Sequence, residues 1–352
     1  MKIAQVAPLS ESCPPRLYGG TERVVANLCD ELVRQGHEVT LFASGDSQTL
    51  ADLDPVCERG LRLSPGVREP RAYETIQLGR VVRRAHEFDV LHFHLDYHHF
   101  AAVLPFADRV LTTLHGRLDL AELQPVAREF PGMALVSISD SQRRPIPGAN
   151  WIGTVYHGLP PDSYELGDGE GDYLAFLGRI SPEKGIERAV AIARGSGRAL
   201  RVAAKIDSVD RAYYERSVAA LFDDPSIRSI GEIGEREKNG FLGSARALVF
   251  PITWPEPFGL VMIEAMACGT PVIAWRNGSV PEIIEHGVTG FIIDSVEEGI
   301  EAAARVAELD RATIRRRFEA RFSAERMAKG YVALYDAIGS RSRSAGLARV
   351  VA

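Results

Sequence analysis

The sequence is poor in cysteine, has no long apolar stretch and carries no excess of positive charge. Its four cysteines, Cys13, Cys29, Cys57 and Cys268, form no C-x-x-C pair. Four are too few for a disulfide scaffold in a chain this long, so we expect reduced thiols and a cytoplasmic protein. No run approaches the roughly 18 apolar residues that cross a bilayer, which leaves peripheral contact at most. The net charge of −6 argues against a dedicated nucleic-acid binder.

Length and hydrophobic content indicate a folded protein rather than a disordered one. The 352 residues suggest roughly two domains at about 150 residues each. Hydrophobic residues make up 45% of the chain, the ordinary share for a globular protein. Residues 1–8 run into a strand pattern and lack the basic and long apolar regions of a secretory leader, so we expect none.

Short apolar segments alternate with helix-length segments along the chain. Between the first two segments, Thr21 is a candidate N-cap for a helix that stops at Gly36. Strands separated by helix-length segments predict right-handed βαβ units and doubly wound parallel sheets. The predicted strands are residues 2–7, 38–42, 90–93, 110–114, 135–139, 152–156, 174–177, 199–203, 247–250, 271–274 and 290–293.

One Pro- and Gly-rich acidic segment, residues 159–172, interrupts this alternation, and we interpret it as a linker. It separates an N-terminal Rossmann-like domain, residues 1–158, from a C-terminal one, residues 173–330. Residues 331–352 would then form a C-terminal helix and tail. The predicted architecture is α/β, with two facing doubly wound domains and a ligand site in the cleft between them.

The first segment with recognisable chemistry is FLGRISPEKG, residues 176–185. A predicted strand ends near Gly178 and a helix begins near Gly185, so Arg179 and Lys184 lie beside a helix N-terminus. Two cations and free backbone N–H groups suit an oxyanion such as a diphosphate. A solvated turn with an ordinary Arg and Lys is the structural alternative.

The second such segment runs from Trp254 to Gly269 and contains two glutamates, Glu256 before a predicted helix and Glu264 inside it. A carboxylate beside a binding site can accept hydrogen bonds from the vicinal hydroxyls of a ribose or a sugar. Gly259 would let a ligand approach the backbone closely. Alternatively, Glu256 merely favours the helix dipole and Glu264 faces solvent, although the apolar neighbours of Glu264 argue against full solvation.

Two patterns raise the question of a metal site. His92 and His94 share one face of a strand at i, i+2, and Asp96 is the only carboxylate nearby. Asp52 and Asp54 form a D-x-D pair in what we interpret as a polar loop without a flanking strand. We expect no metal at either place.

Together, these segments strongly resemble the retaining nucleotide-sugar glycosyltransferases of family 4, which have the GT-B fold. Glu256 through Glu264 is similar to the E-x7-E motif of that family, and residues 176–185 are similar to its F-x-G-R…K-G motif. The resemblance covers essentially the whole chain. Further matches lie at Gly19-Gly20 with Glu22-Arg23, at Leu114-His115-Gly116, at Ser137-Ile138-Ser139 and at His157-Gly158.

The resemblance implies a role for each matched residue. Arg179 and Lys184 would hold the donor diphosphate, and Lys205 is a candidate for a third cation there. Glu264 would bind the ribose hydroxyls, and His115 would contact the transferred sugar from the N-terminal domain. Gly19 and Gly20 would let backbone N–H groups approach the diphosphate. Glu256 would hold the transferred sugar together with the N–H groups of Phe258, Gly259 and Leu260.

The implied reaction is a metal-independent, front-face transfer of a hexose without a cofactor. The donor would be a nucleoside-diphosphate sugar of the UDP-glucose or GDP-mannose type. The acceptor would be a sugar, a lipid-linked sugar or a small metabolite. Residues 202–207 replace the Gly-rich turn of many members, which leaves the choice between uridine and guanosine open. A non-hydrolysing nucleotide-sugar epimerase and a non-catalytic nucleotide-sugar binder are the alternatives.

Overall fold

The computed structural model describes residues 1–16 and 19–350, with side chains through residue 339. Tertiary contacts divide the chain into two compact units. The first unit comprises Met1–Gly158 together with the chain from Ala324 onward, and the second comprises Leu159–Ser323. Each unit is built on one parallel sheet, as the alternation predicts.

The first unit contains a seven-stranded sheet in the order β3-β2-β1-β4-β5-β6-β7. Its central strands are fully buried and rich in apolar residues, as expected for a parallel sheet covered on both faces. The strands are β1 Lys2–Val6, β2 Glu38–Ser44, β3 Asp52–Cys57, β4 Val90–Phe93, β5 Val110–Thr113, β6 Ala134–Ser137 and β7 Trp151–Thr154. The helices are α1 Gly20–Arg34, α2 Pro70–Arg84, α3 Phe100–Val103 and α4 Leu123–Glu129, and α12 Ala324–Val350 also belongs to this unit.

The second unit repeats this design with six strands in the order β10-β9-β8-β11-β12-β13. In both units, the first four strands along the chain lie across the sheet in the order 3-2-1-4. This is the strand order of a dinucleotide-binding fold. The strands are β8 Tyr173–Arg179, β9 Ala199–Lys205, β10 Ile227–Gly231, β11 Ala247–Phe250, β12 Val272–Trp275 and β13 Gly290–Ile293. The helices are α5 Ile186–Gly195, α6 Arg211–Tyr213, α7 Glu235–Gly243, α8 Leu260–Ala267, α9 Val280–Ile283, α10 Val296–Arg305 and α11 Arg311–Phe322.

Eleven strands lie within two residues of their predicted bounds, but two edge strands were not predicted. The polar loop predicted around Asp52 and Asp54 is wrong, because these residues begin β3. Asp54 accepts from Arg80 at 3.0 Å and from Arg84 at 2.7 Å, so it serves an ion-pair network. Strand β10 was also missed, since four of its five residues are exposed. Edge strands are partly exposed to solvent and need no apolar alternation. A prediction based on apolar patterns therefore does not identify them.

The helix after β1 begins two residues earlier than an N-cap at Thr21 requires. Gly19 occupies the N-cap of α1, and Thr21 lies inside the first turn, so the predicted Thr21 cap is wrong. A Cβ on Gly19 would lie 2.8 Å from the Pro15 side chain and 3.2 Å from a Glu22 oxygen. The chain therefore reaches the helix through a position where a side chain would collide with its neighbours.

The segment interpreted as a linker, residues 159–172, lies in the second unit. Its glycine N–H groups donate to that unit: Gly167 to the Cys268 carbonyl at 3.0 Å and Gly169 to the Gly243 carbonyl at 3.0 Å. A Cβ on Gly167 would lie 2.2 Å from the Gly243 oxygen. These glycines permit a close approach of two backbones as well as a turn.

The chain after residue 323 returns to the first unit. Helix α12 buries Tyr331 and Tyr335 completely. Their hydroxyls bond to Thr113 at 3.0 Å and to His92 at 2.7 Å. Residues 331–339, which the sequence assigned to a separate C-terminal segment, thus continue a helix that begins at Ala324 and packs on the N-terminal sheet.

Candidate functional site

In the second unit the strand order reverses between β8 and β11, and the loops after these two strands diverge there. Ligands of open α/β sheets bind at this kind of place. Gly185 adopts a left-handed conformation with φ 68°, and a Cβ there would lie 2.2 Å from the Pro251 oxygen. Only glycine allows the loop after β8 to approach the loop after β11 this closely.

This approach brings Lys184 and Glu256 together. The Lys184 Nζ lies 2.5 Å from Glu256 Oε2, and the Trp254 indole N–H donates to the same oxygen at 3.0 Å. The Lys184 ammonium also lies 5.4 Å from the Trp254 ring centroid. The two charged side chains are 17% and 12% exposed. A cation and an anion are therefore held as a contact pair that solvent reaches only in part.

Arg179, at the carboxyl end of β8, is surrounded by carboxylates. Its guanidinium lies 2.5 Å from Glu183, 3.4 Å from Asp210 and 3.6 Å from Asp207. Lys205 is its register partner on β9 and pairs with Asp207 at 2.8 Å. The sequence motif identified the cations but missed Asp207 and Asp210, which follow the next strand and become neighbours only through the parallel pairing of β8 with β9.

Helix α8 places Glu264, the second glutamate of the E-x7-E motif, in the interior. Gly259 has φ 78° at the N-cap, and Leu260 opens the helix. Phe258 is buried, and its carbonyl accepts from the Ser279 hydroxyl at 2.7 Å. Glu264 is buried as well, which excludes the solvent-facing alternative.

Lys238 of helix α7 is a charged partner that sequence reasoning missed. Its Nζ lies 2.7 Å from Glu264 Oε1 and 3.3 Å from Glu235 Oε2. Both Lys238 and Glu264 are buried. Nothing in the α7 sequence singles out Lys238, because only the packing of α7 against α8 makes it the partner of Glu264.

In the first unit, His115 follows β5 and joins a chain of buried polar side chains. Its Nε2 lies 2.8 Å from His94 Nδ1, and its ring stacks on His157 at a centroid distance of 5.2 Å. The protein atoms around the ring disfavour its charged form and lower the pKa of His115 to about 3. The imidazole is therefore neutral near pH 7. Its buried Nδ1 has no hydrogen-bond partner among the described residues.

Gln5 of β1 fixes which atoms donate and which accept in these buried hydrogen bonds. Its Nε2 donates to the Tyr335 hydroxyl at 2.9 Å, so its Oε1 accepts from His94 Nε2 at 2.9 Å. His94 Nδ1 is then the unprotonated nitrogen and accepts from His115 Nε2. It follows that the His115 Nδ1 carries a lone pair and is a hydrogen-bond acceptor.

The remaining predicted residues of this unit lie at the start of α1. Gly19 is the N-cap, and Gly20 is the first residue of the helix, whose first-turn N–H groups have no partner within the helix. His92, considered as a metal ligand, bonds to the Tyr335 hydroxyl and to Thr113 Oγ1 at 2.8 Å. Within residues 1–16 and 19–339, whose side chains the structure describes, no group of three or more His, Cys, Asp or Glu side chains is arranged to hold a metal ion.

The four cysteines are buried and free, as the low cysteine content predicts. Within the part of the chain that the structure describes, no helix is both long enough and apolar enough to cross a membrane.

Comparison with known proteins agrees with this architecture. The family model described as "Glycosyltransferase Family 4" matches residues 18–146, and the one described as "Glycosyl transferases group 1" matches residues 165–321. A phosphatidyl-myo-inositol mannosyltransferase of Propionibacterium freudenreichii is 28% identical over 321 residues, covering 78% of this chain and 77% of the relative. A glycogen synthase of Mycobacterium tuberculosis is 26% identical and covers 90% of this chain and 89% of its own.

A solved structure extends the likeness to three dimensions. AviGT4, a glycosyltransferase involved in avilamycin A biosynthesis, superposes with a TM-score of 0.73 at 26% identity, covering 97% of this chain and 98% of its own. The two family models together span most of both units. The two Rossmann-like sheets, the matched motifs and these relatives show that the chain is a glycosyltransferase of the GT-B fold and belongs to family 4.

Proposed function

We propose that the protein transfers a hexose from a nucleoside-diphosphate sugar to a hydroxyl acceptor, with retention of anomeric configuration and without a metal ion. The observation that carries this proposal is the Lys184–Glu256 contact at 2.5 Å, at the carboxyl end of β8 where Arg179 also lies. A site that binds the donor needs opposite charges side by side, and this contact supplies both.

The chemistry explains why. When the bond between C1 and the diphosphate oxygen breaks, negative charge grows on the diphosphate and positive charge on the sugar ring. Lys184 and Arg179 would stabilise the former. The Glu256 carboxylate would stabilise the latter, while the N–H groups of Phe258, Gly259 and Leu260 would help to hold the sugar. Such groups lower the barrier most when the fold already holds them in place. Trp254 holds Glu256 in place by a hydrogen bond, and Glu183 holds Arg179.

The same proposal assigns the remaining residues. Glu264, held by Lys238, would accept hydrogen bonds from the ribose hydroxyls. The neutral His115 would accept a hydrogen bond from a hydroxyl through its Nδ1, and Gly19 and Gly20 would present backbone N–H groups. In a front-face reaction the acceptor oxygen attacks C1 from the side on which the diphosphate leaves, so no covalent nucleophile is needed. The departing phosphate oxygen would take the proton of the acceptor, so no side-chain base is assigned.

A donor assay tests the proposal. The protein is incubated with radiolabelled UDP-glucose and, separately, GDP-mannose, and slow release of free hexose is followed. We expect hydrolysis of one donor with release of the α-anomer first. The variants Arg179→Ala and Lys184→Ala should each reduce the rate by about 100-fold or more, by analogy with the loss of one preorganised donor at an oxyanion.

The exposed Arg305 of the same unit, 56% exposed and paired with Glu308, provides the matched control. Arg305→Ala should leave the rate unchanged. Binding of a donor without any release of hexose would identify a non-catalytic binder, and conversion of the donor to an epimer would identify an epimerase. Near-normal rates in both Arg179→Ala and Lys184→Ala would contradict the assignment of the diphosphate site.

A further inference from the structure

The first unit contains an apolar cavity lined by Leu114 and Gly116, the two chain neighbours of His115. Its volume is about 270 Å³. Its lining includes the buried side chains of Phe100, Leu114, Leu118 and Ile146, and also Val126 and Ala127 of α4. Leu114 directly precedes His115, so the wall of the cavity and the candidate sugar-binding histidine belong to one segment. No residue role assigned above uses this space.

The size of the cavity limits what it can hold. An apolar cavity of about 150 Å³ accommodates a benzene ring, so 270 Å³ has room for two fused rings or a branched alkyl chain. A helix with its side chains is about 10–12 Å across, which is too wide for this space. The shape therefore favours the apolar part of a small molecule over a segment of another protein.

One edge of the cavity is polar. Asp96 lines it with φ 50°, the only positive φ at a residue other than glycine among the described residues. Such a conformation costs energy and is concentrated at functional positions. The backbone N–H of His115 interacts with the Asp96 carboxyl, which connects this group to the same segment. Arg117, also at the edge, is held by Asp119 in two contacts of 2.7 Å.

Two large apolar side chains of the cavity lining are exposed at the surface. Tyr97 and Leu120 both line the cavity and are 41% and 44% exposed. Exposed large apolar side chains next to a concave apolar space are typical of ligand-binding sites. A ligand that fills the cavity would cover part of these two side chains and place its polar end at Asp96.

We propose that this cavity binds the apolar portion of an amphipathic acceptor, an alcohol that carries an aryl or branched alkyl group. The hydroxyl end lies at Asp96, beside His115, and the apolar end lies among Phe100, Leu118 and Val126. This inference rests on the proposed transferase function, and it names the chemical class of the second substrate.

Two probes of matched shape test it. 2-Naphthol carries a hydroxyl and two fused rings, and 2-methoxynaphthalene keeps the rings but has no hydroxyl proton. Binding of each to the full chain is measured by titration of the probe fluorescence. We expect saturable one-site binding of both probes, with 2-naphthol the tighter.

Three variants assign the binding to this cavity. Ala127→Phe fills it and should weaken both probes at least tenfold. Asp96→Asn removes the charge at the edge and should weaken 2-naphthol severalfold while leaving 2-methoxynaphthalene unchanged. Ala72→Phe, at an exposed position of α2 outside the cavity, is the control and should change neither.

The proposal is overturned if neither probe saturates, if Ala127→Phe binds both as tightly as the natural chain, or if Ala72→Phe weakens them equally. Equal affinity of 2-naphthol for Asp96→Asn and the natural chain would overturn the placement of the hydroxyl. Hydrolysis of the sugar donor is measured on the natural chain and on Ala72→Phe, and it should be the same in both. If the natural chain does not hydrolyse the donor at all, the transferase function is contradicted instead. Failure of the proposed acceptor cavity and failure of the proposed function are therefore distinguishable.

Discussion

Replacing Lys238 by methionine should destabilise the second unit because it leaves the Glu264 carboxylate without its cation. The ammonium lies 2.7 Å from Glu264, and both residues are buried. Removing one partner of a buried pair costs about 3–5 kcal/mol, since the remaining charge loses a counterion inside the protein. The side chain of Glu264 is only 4% exposed, so water can replace little of the lost interaction.

The expected loss can be refined from the surroundings. The neighbours of Glu264 along helix α8, Met262, Ile263, Ala265 and Met266, are apolar and fully buried. We therefore expect a loss of about 3 kcal/mol in the free energy of unfolding, which lowers the melting temperature by about 6–12 °C for a domain of this size.

The assay must report on the second unit alone. Trp151 lies in the first unit, whereas Trp254 and Trp275 lie in the second. In a Trp151→Phe background, tryptophan fluorescence during urea unfolding follows the second unit only. The exposed Arg305–Glu308 pair provides the control, and Arg305→Met should change the unfolding free energy by less than about 1 kcal/mol.

A double-mutant cycle isolates the pair itself. Glu264→Gln removes the buried charge, so the double variant Lys238→Met, Glu264→Gln should be more stable than the sum of the two single losses predicts, by at least about 1 kcal/mol. An unfolding free energy of Lys238→Met within 0.5 kcal/mol (roughly the error of such cycles) of the parent, or strict additivity in the cycle, would refute the reasoning.

Three further predictions concern catalysis and pH. Glu256→Gln should mainly lower kcat, because the contact of Glu256 with the sugar strengthens as positive charge grows on the ring. Glu264→Gln should mainly raise KM for the donor. Steady-state kinetics with varied donor tests both, and the opposite pattern would show that the two roles are exchanged. EDTA should leave the rate within about a factor of two, and loss of activity restored by Mg²⁺ or Mn²⁺ would contradict the diphosphate site. Burial lowers the pKa of His99 from 6.5 to about 3, so the unfolded chain binds a proton below pH 6.5 that the folded chain does not. Stability should therefore fall from pH 7 to pH 5, by about 2 kcal/mol for His99 alone. Urea unfolding at the two pH values should show this fall, and a flatter profile in His99→Gln would assign it; equal stability at both would contradict it.

Local sequence patterns were sufficient for the strands in the interior of each sheet. Val90–Phe93 and Ala247–Phe250 were predicted with their observed bounds, because strands covered on both faces consist of short apolar runs. Asp52–Cys57 and Ile227–Gly231 were missed because edge strands are partly solvated and share the composition of loops.

The candidate site divides in the same way. The motifs around Arg179, Lys184, Glu256 and Gly259 were found from the sequence, because their chemistry lies in the residue types and their spacing along a strand, a loop and a helix. Asp207 and Asp210 beside Arg179 were not found, because they become its neighbours only when β8 and β9 pair in register.

The sequence by itself determined the alternation of strands and helices, the two parallel sheets and the family motifs, since each depends on residues close together in the chain. Only the tertiary structure decided the partners. Lys184 meets Glu256 across 72 positions, and Gln5 meets Tyr335 across 330. Such contacts depend on strand order and helix packing, which bring distant segments to one place and leave no local trace in either segment.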